Sequence, residues 1–590
     1  MTLIKMSWGY LRTQKRAVAA IVVLQLFQVL LNLWLPALNA AIINNGIIPH
    51  DQGYIWRTGM IMLAIALLQV ASIVGAIYFG ARTAMGFGRE LRATTFRKVQ
   101  GFSNTDQHRF GAATLITRTT NDVTQVQMVV LMFFTMMIMA PLMGIGGIVM
   151  AIVQDAKLSL LLAIIVPILA LLVGFVMRQL TPRSVIQQQR IDRVNTVMRE
   201  QLTGVRVIRA FVREKTERKK YDHAIRDLRA IGLEIGMLMT FLMPAAHLVI
   251  GLSSAATVWF GGFRIAAGNM EVGVLTAYIS YLMMILGSIM MSGFFVMMFP
   301  RGEVSAQRIK EIHDTVPSIQ APANPRTLPT GPLTFELKRA CLQYPGAETP
   351  VLEEISLVCP PGSTVAVVGS TGSGKSSILK LLPRLIDATS GQVRVGGIPV
   401  TELDPRELRS RIAFVPQKAF LFSGTIASNV AGNVRPESSY DAERVRLALD
   451  AAQATEFVDK LADGLETAVE AGGTNFSGGQ RQRLTIARAI YRCLPDKTGK
   501  RSADLLIFDD SFSALDAVTD ARLRANLRNY IGDIAVLIIG QRISTIRHAD
   551  IIHVLEDGRI SGSGTHEQLY KFNQTYQEIV TSQMSEEEAL

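Results

Sequence analysis

Six apolar runs, each close to the ~20 residues a helix needs to cross a hydrocarbon core, fill the chain before about Pro300. They lie at about 17–42, 59–83, 126–153, 158–180, 236–262 and 273–299. Inside lipid a backbone must satisfy its own hydrogen bonds, so runs of this kind are expected as helices. An even number of them returns the chain to its starting side. The sequence is 49% hydrophobic and 18% charged over 590 residues, more apolar than a soluble protein of this length. Beyond Glu311 the stretch HDTVPSIQAPANPRTLPTGP has neither helical nor strand period and is rich in proline, as linkers are. The remainder alternates strand-like and helix-like segments. The expected fold is therefore multi-domain: an all-α six-helix transmembrane domain with long cytoplasmic helix extensions at 1–312, a linker at 313–332 and an α/β domain at 333–590.

Lysine and arginine set the expected orientation. Lys5, Arg12, Lys15 and Arg16 precede the first run, and the long loops at about 84–125 and 181–235 are rich in arginine, whereas the short connections near Asp51, Asp155 and Glu271 are not. The N-terminus, both long loops and the C-terminal domain are placed in the cytoplasm. Both loops carry apolar residues at helical spacing, as in LRATTFRKV and GVRVIRAFVREKTERKKY, so the spans are expected to continue as helices, with transverse tips near Ser103–Leu115 and Gly204–Phe211. Those tips are where the membrane part is expected to meet the soluble part. The net charge of +12 is read as charge beside the membrane rather than as a nucleic-acid footprint. Cys341, Cys359 and Cys493 form no disulfide framework, and the first apolar run, with no clear small-residue cleavage site, is read as a span that stays.

The chemistry of the soluble domain begins at GSTGSGKSS, residues 369–377, which matches G-x-x-x-x-G-K-[ST] directly after the strand-like STVAVV. Glycines in such a turn let backbone N–H groups surround phosphate oxygens, and the helix that follows offers its positive end to the same anion. The candidate phosphate-binding residues are Gly369, Ser370, Thr371, Gly372, Ser373, Gly374, Lys375, Ser376 and Ser377, with Lys375 reaching the β/γ-phosphates and Ser376 holding Mg²⁺.

About a hundred residues later come FSGGQRQRLTIARAI, then LLIFDD and SALD. This ordered series resembles the ATP-binding cassette (ABC) family, and six spans fused ahead of one cassette resemble its exporter-type half-transporters, so the resemblance covers the whole chain. It implies ATP and Mg²⁺ as cofactors, transport-coupled ATP hydrolysis, a bacterial inner-membrane location, and ATP held between two chains. Tyr344 in CLQYPG resembles the aromatic that stacks on adenine; its other reading is a core tyrosine. Gln417 in FVPQKAFLF resembles the glutamine that joins metal and attacking water to the membrane tips. Ser477, Gly478, Gly479 and Gln480 resemble the signature that closes over the partner's γ-phosphate, and Asp516 the loop linking the two sites. Asp509 resembles the acid that holds Mg²⁺ through water.

Two positions depart from the family pattern. Asp510 stands where a catalytic glutamate is expected, and a carboxylate shorter by one methylene is withdrawn by about 1.5 Å, a displacement that can cost about a hundredfold in rate. Gln541, in IIGQRISTIRHAD, stands where a histidine is expected and cannot carry an imidazolium's charge. Together they imply a degenerate ATP site within a heterodimer, whose second half-transporter chain carries the standard glutamate and histidine. The other reading of each change is drift within a working homodimer.

The cargo is less legible. Met283/Met284, Met290/Met291 and Met297/Met298 recur every seven residues along the sixth span, suited either to an adaptable binding surface or to filling a helix seam. His247 is an ionisable residue within the fifth span and so a functional candidate, although a lone histidine hydrogen-bonded to a neighbouring helix is the commoner outcome. No cluster of buried charge points to an ion, so an amphipathic compound or lipid is the expected substrate. An importer on the same scaffold, of siderophore type, and an ATP-gated channel or sensor are the alternative functions. The stretch 492–504, RCLPDKTGKRSAD, reads as an exposed basic loop or a contact for a partner.

Overall fold

A computed structural model describes residues 1–432 and 440–583; residues 433–439 and the end of the expected soluble domain, 584–590, lie outside the described residues. Compactness divides the chain into two units. The first comprises Met1–Gly101 and Phe110–Val316; the second comprises Phe102–Arg109 and the chain from Pro317 onward.

The first unit holds six helices long and apolar enough to cross a membrane: Thr2–Ile47, Gln52–Gln100, Ala112–Gln154, Leu158–Thr203, Glu214–Ala266 and Val272–Asp314. Each runs well past its apolar run, so the loops at 84–125 and 181–235 are largely helix. The first helical stretch begins at Thr2, earlier than the apolar run suggests, because Thr2–Leu11 is a separate short helix joined through a tight turn at Arg12–Gln14. The first tip ends sooner than expected. Its helix, Asn104–Phe110, stops at Gly111, whose φ of 78° lies in the left-handed region that glycine tolerates, and Ala112 starts the next long helix. The second tip holds a one-turn helix, Val205–Ala210.

The sixth helix supplies the centre of this unit. Tyr278, Tyr281, Leu282, Ile285 and Leu286 are fully buried, and the two phenols donate to the carbonyls of Leu158 (3.1 Å) and Leu33 (2.8 Å). A buried hydroxyl without a partner is costly, so each phenol finds a carbonyl acceptor on another helix. The methionine pairs lie off that face: Met283 is exposed, while Met284 and Met290 pack at the edge of the core. His247 is exposed and its Nδ1 lies 2.8 Å from the Met243 carbonyl one turn back, so its partner is on its own helix and not on the neighbouring helix expected. Near one end of the bundle Arg264 and Asp155 form an ion pair at 2.7 Å, with Asp155 also accepting from the Leu158 N–H.

In the second unit, alternation along three strands builds two cores at once. Strands β1 (Phe335–Leu342), β2 (Leu352–Cys359), β4 (Ser390–Val395) and β5 (Ile398–Pro399) form an antiparallel sheet; β7 (Gly424–Thr425) and β8 (Ala468–Val469) form a small ribbon. The main sheet has the order β12-β11-β3-β10-β9-β6, from β3 (Thr364–Gly369), β6 (Ile412–Val415), β9 (Leu505–Asp509), β10 (Ala535–Ile539), β11 (Ile551–Glu556) and β12 (Arg559–Gly564). Only β12 pairs antiparallel. Leu505, Ile507, Leu537 and Ile539 face one hydrophobic cluster, and Leu506, Phe508, Val536 and Ile538 face the other. A strand covered on both faces is apolar throughout, which is why LLIF and AVLII carry no polar residue.

The basic stretch 492–504 is only partly an exposed loop. Cys493, Leu494 and Ala503 are buried in the core, and the exposed turn between them is closed by Asp496, which accepts from the N–H groups of Thr498 and Lys500.

Candidate functional site

Four neighbouring parallel strands, β3, β10, β9 and β6, end on the same side, and each delivers one part of a site just beyond its carboxyl end. Open parallel sheets bind ligands at this edge. β3 leads into Gly369–Ser377, β9 into Asp509 and Asp510, β6 into Gln417, and β10 into Gln541.

The loop after β3 is fixed by its glycines. Gly374 has a φ of 101°, and a Cβ there would stand 2.8 Å from the Val351 carbonyl, so the position admits no side chain. It precedes the helix Lys375–Leu381. Lys375 folds back over the loop, donating to the carbonyls of Gly369 (2.8 Å) and Ser370 (2.6 Å), with Ser373 Oγ at 3.5 Å. Burial lowers the pKa of its ammonium, with Asp510 and Asp509 acting against that effect. Thr371 and Gly372 lie exposed at the turn of the loop.

Ser376 Oγ donates to Asp509 Oδ1 at 3.5 Å. Asp510, the next residue, has a φ of 44°, an uncommon conformation for a residue bearing a Cβ. Its own N–H bonds the Ile539 carbonyl at 2.8 Å, which turns the chain sharply at the strand end. Its carboxylate receives Gln417 Nε2 at 3.4 Å and the backbone N–H of Gln541. Burial raises the pKa of Asp510 despite these donors; burial also raises that of Asp509, and the Asp510 charge adds to it. The Gln541 side chain is exposed, while its carbonyl accepts from Gln583 at 2.7 Å.

Tyr344 is half-buried, its hydroxyl 3.2 Å from Ser377 Oγ and receiving Lys380 Nζ at 3.3 Å, with the Lys380 ammonium 5.5 Å from the ring centre. It thus stands beside the loop and is also packed against the core. Lys380 escaped the sequence reading; its place five residues after Lys375, one turn further along the same helix, was the available signal. Ser477 and Gln480 bond each other instead: Ser477 N–H to Gln480 Oε1 at 2.9 Å and Gln480 N–H to Ser477 Oγ at 3.3 Å, a capping box opening the helix Gly478–Cys493. Ser477 and Gly478 are exposed. Asp516 caps the helix Ala517–Ile531, and the Thr519 N–H holds its carboxyl below the ordinary range.

Asp106 is a second residue that sequence reading passed over, although Ser103-x-x-Asp106 has capping spacing. Buried in the second unit, it accepts from Ser103 N–H (3.0 Å) and Oγ (2.9 Å) and from Ser318 N–H (3.0 Å) and Oγ (3.3 Å). Burial alone would raise its pKa; these donors outweigh burial and lower it.

The donors fit a magnesium nucleotide: a glycine cradle closed to side chains, one ammonium, and hard oxygen ligands from Ser376 and Asp509 of the kind Mg²⁺ takes. A phosphate-binding loop at a parallel sheet edge, in a chain that also carries six membrane-length helices, defines a nucleotide-dependent membrane transporter. Comparison with known proteins then gives the family. Residues 18–289 match the ABC transporter transmembrane region and residues 352–510 the ABC transporter domain. An uncharacterized ABC transporter ATP-binding protein of Mycobacterium tuberculosis is 44% identical over 97% of both chains. A multidrug efflux ATP-binding/permease protein of the same species is 33% identical over 85% of this chain and 41% of its own length, and an ATP-dependent lipid A-core flippase of Ralstonia nicotianae is 29% identical over 90% of both. The chain belongs to the ABC transporter family.

Proposed function

We propose that this protein is one half of a heterodimeric, ATP-driven exporter of amphipathic compounds, drugs or lipids, in the inner membrane of a bacterium, with its N-terminus and cassette in the cytoplasm. The observation that carries this reading is the surrounding of Asp510: a short carboxylate held by Gln417 and the Gln541 N–H, where a longer acid and a histidine would serve hydrolysis. Two relatives, a multidrug efflux ATP-binding/permease protein and an ATP-dependent lipid A-core flippase, support the substrate class.

In this reading the N–H groups of Gly369–Ser377 and the ammonium of Lys375 hold the phosphates, Ser376, Gln417 and Asp509 hold Mg²⁺, and Tyr344 faces the adenine. Mg-ATP, when bound, supplies the phosphoanhydride whose cleavage drives transport. Asp510 is the base available to take a proton from water, and a base must come within about 2.6–3.2 Å of that proton. Its carboxylate stops short, so this site binds ATP and turns it over slowly. Ser477, Gly478, Gly479 and Gln480 complete the competent site of the partner chain, and Asp516 links the two.

Purification from native membranes followed by mass spectrometry of the co-purifying chain tests the pairing, and ATP-dependent accumulation in inside-out vesicles tests the direction. A homodimer with full turnover overturns the heterodimer; accumulation only in right-side-out vesicles overturns export.

A further inference from the structure

One feature of the first unit is unused by the nucleotide chemistry: a half-open cavity of about 1490 Å³ between the N-terminal helix Thr2–Leu11 and the first, third and sixth long helices. It exceeds the about 300–1,000 Å³ usual for a drug-sized ligand. Its walls are almost wholly apolar, with Val22, Val129, Phe133, Phe134, Phe295 and Phe299 among them. Phe133 sits 5.8 Å from Phe134 and 6.4 Å from Phe295 between ring centres.

Three observations give this cavity a specific occupant. Its lip is basic: Arg12 and Lys15 line it, Arg12 lies 5.4 Å from the Trp8 ring centre, and no aspartate or glutamate lines it among the described residues. One wall is the turn Phe133–Met137, where the third long helix widens to a π-helical turn, a local distortion frequent at functional sites. The opposite wall is fixed in place, because Glu303 on the sixth helix accepts from the N–H groups of Thr2 (2.6 Å) and Leu3 (3.0 Å), tying down the start of the N-terminal helix. An apolar chamber with a cationic, tryptophan-bearing rim matches a molecule with hydrocarbon chains and a negative head.

We infer that this cavity binds an anionic phospholipid from the surrounding bilayer, its acyl chains against the phenylalanines and its phosphate between Arg12 and Lys15. The site stands on the membrane unit alone and needs neither ATP nor a second cassette. Near a membrane surface each cation favours an anionic lipid by about fivefold, so the pair selects by roughly twenty-five-fold.

The test uses the full chain with whatever partner co-purifies, reconstituted in nanodiscs of equal phosphatidylglycerol and phosphatidylcholine, then released for native mass spectrometry. The wild type is expected to retain phosphatidylglycerol in excess. The double substitution Arg12→Gln/Lys15→Gln is expected to lose that preference about twenty-five-fold, and Ala19→Phe, which fills the lining where space is open, to lower retention of both lipids. Arg16→Gln removes one positive charge beside Lys15 from a residue that does not line the cavity, and is expected to leave the preference intact. Equal retention of both lipids by the wild type, or an equal effect of Arg16→Gln, overturns the site. Retention is read without ATP, so a failure of the exporter reading in vesicles leaves this result standing, and the reverse.

Discussion

Gln417 donates its side-chain amide to the Asp510 carboxylate at 3.4 Å, joining the ends of β6 and β9 across the opening of the phosphate loop. A glutamate at 510 reaches about 1.5 Å further, past this contact and toward the loop. Asp510→Glu is therefore expected to raise hydrolysis at this chain's own site by about tenfold. The gain stays below the hundredfold associated with an ångström-scale misplacement, because Gln541 is unchanged. The measurement is ATPase turnover of the complex with the partner's site inactivated; no gain would contradict the role given to Asp510.

Ser477→Ala is expected to act on the other site. It removes the cap of the helix Gly478–Cys493, at about 1 kcal/mol, and the hydroxyl that the proposed pairing offers to the partner's nucleotide. Total turnover should fall by more than tenfold while the melting temperature moves by only a few degrees. Asp510→Glu and Ser477→Ala with equal effects on turnover would sink the division between sites.

Asp106→Asn keeps the shape of the side chain but removes the charge that four donors from Ser103 and Ser318 converge on. Charged hydrogen bonds are worth about 1.5–3 kcal/mol, so hydrogen exchange at the Ser318 amide should quicken by roughly tenfold or more. Unchanged exchange would show that the contact does not persist in solution.

Arg264→Met leaves Asp155, whose side chain is 6% exposed, without its ion-pair partner. Breaking a buried pair costs about 3–5 kcal/mol, and the partial exposure of Arg264 reduces this to about 2–3 kcal/mol. Asp155→Asn on that background keeps the cap on Leu158 and is expected to recover much of the loss in thermal denaturation of the detergent-solubilised protein.

His553 gives the second unit an acid limit. Burial pushes its pKa from 6.5 down to about 4, with Nδ1 2.7 Å from Ser563 Oγ. Above about pH 6.5 the imidazole is neutral in both folded and unfolded chains; between 6.5 and 4 only the unfolded chain takes up the proton. Stability therefore falls as pH drops through that window, by up to about 3 kcal/mol. His553→Gln should flatten this slope in melting curves of the full protein recorded across the window.

What the sequence made legible follows the range of the interactions. The six spans and the loop at 369–377 show plainly, since lipid demands long apolar runs and a phosphate cradle demands closely spaced glycines before a lysine. The two-faced cores of LLIF and AVLII are likewise written in unbroken apolar residues. Thr2–Leu11 was hidden because its lysine and its neighbouring arginines look like charge beside a span, and its docking depends on Glu303, some 300 residues away. The Asp106–Ser318 contact joins positions 212 residues apart, a separation no local pattern encodes. The Gln541 carbonyl takes its hydrogen bond from Gln583, 42 residues further on, a contact the local motif does not announce.

The second unit is not one uninterrupted stretch of sequence. Phe102–Arg109 is translated long before Pro317, yet it belongs to the same compact body and brings the acid that holds Ser318. A fragment begun at Pro317 would keep Ser318 and lose the carboxylate that accepts from it. The carboxylate is made straight after the second membrane-length helix and its partner serine only after the sixth, so the contact waits on the whole helical region between them.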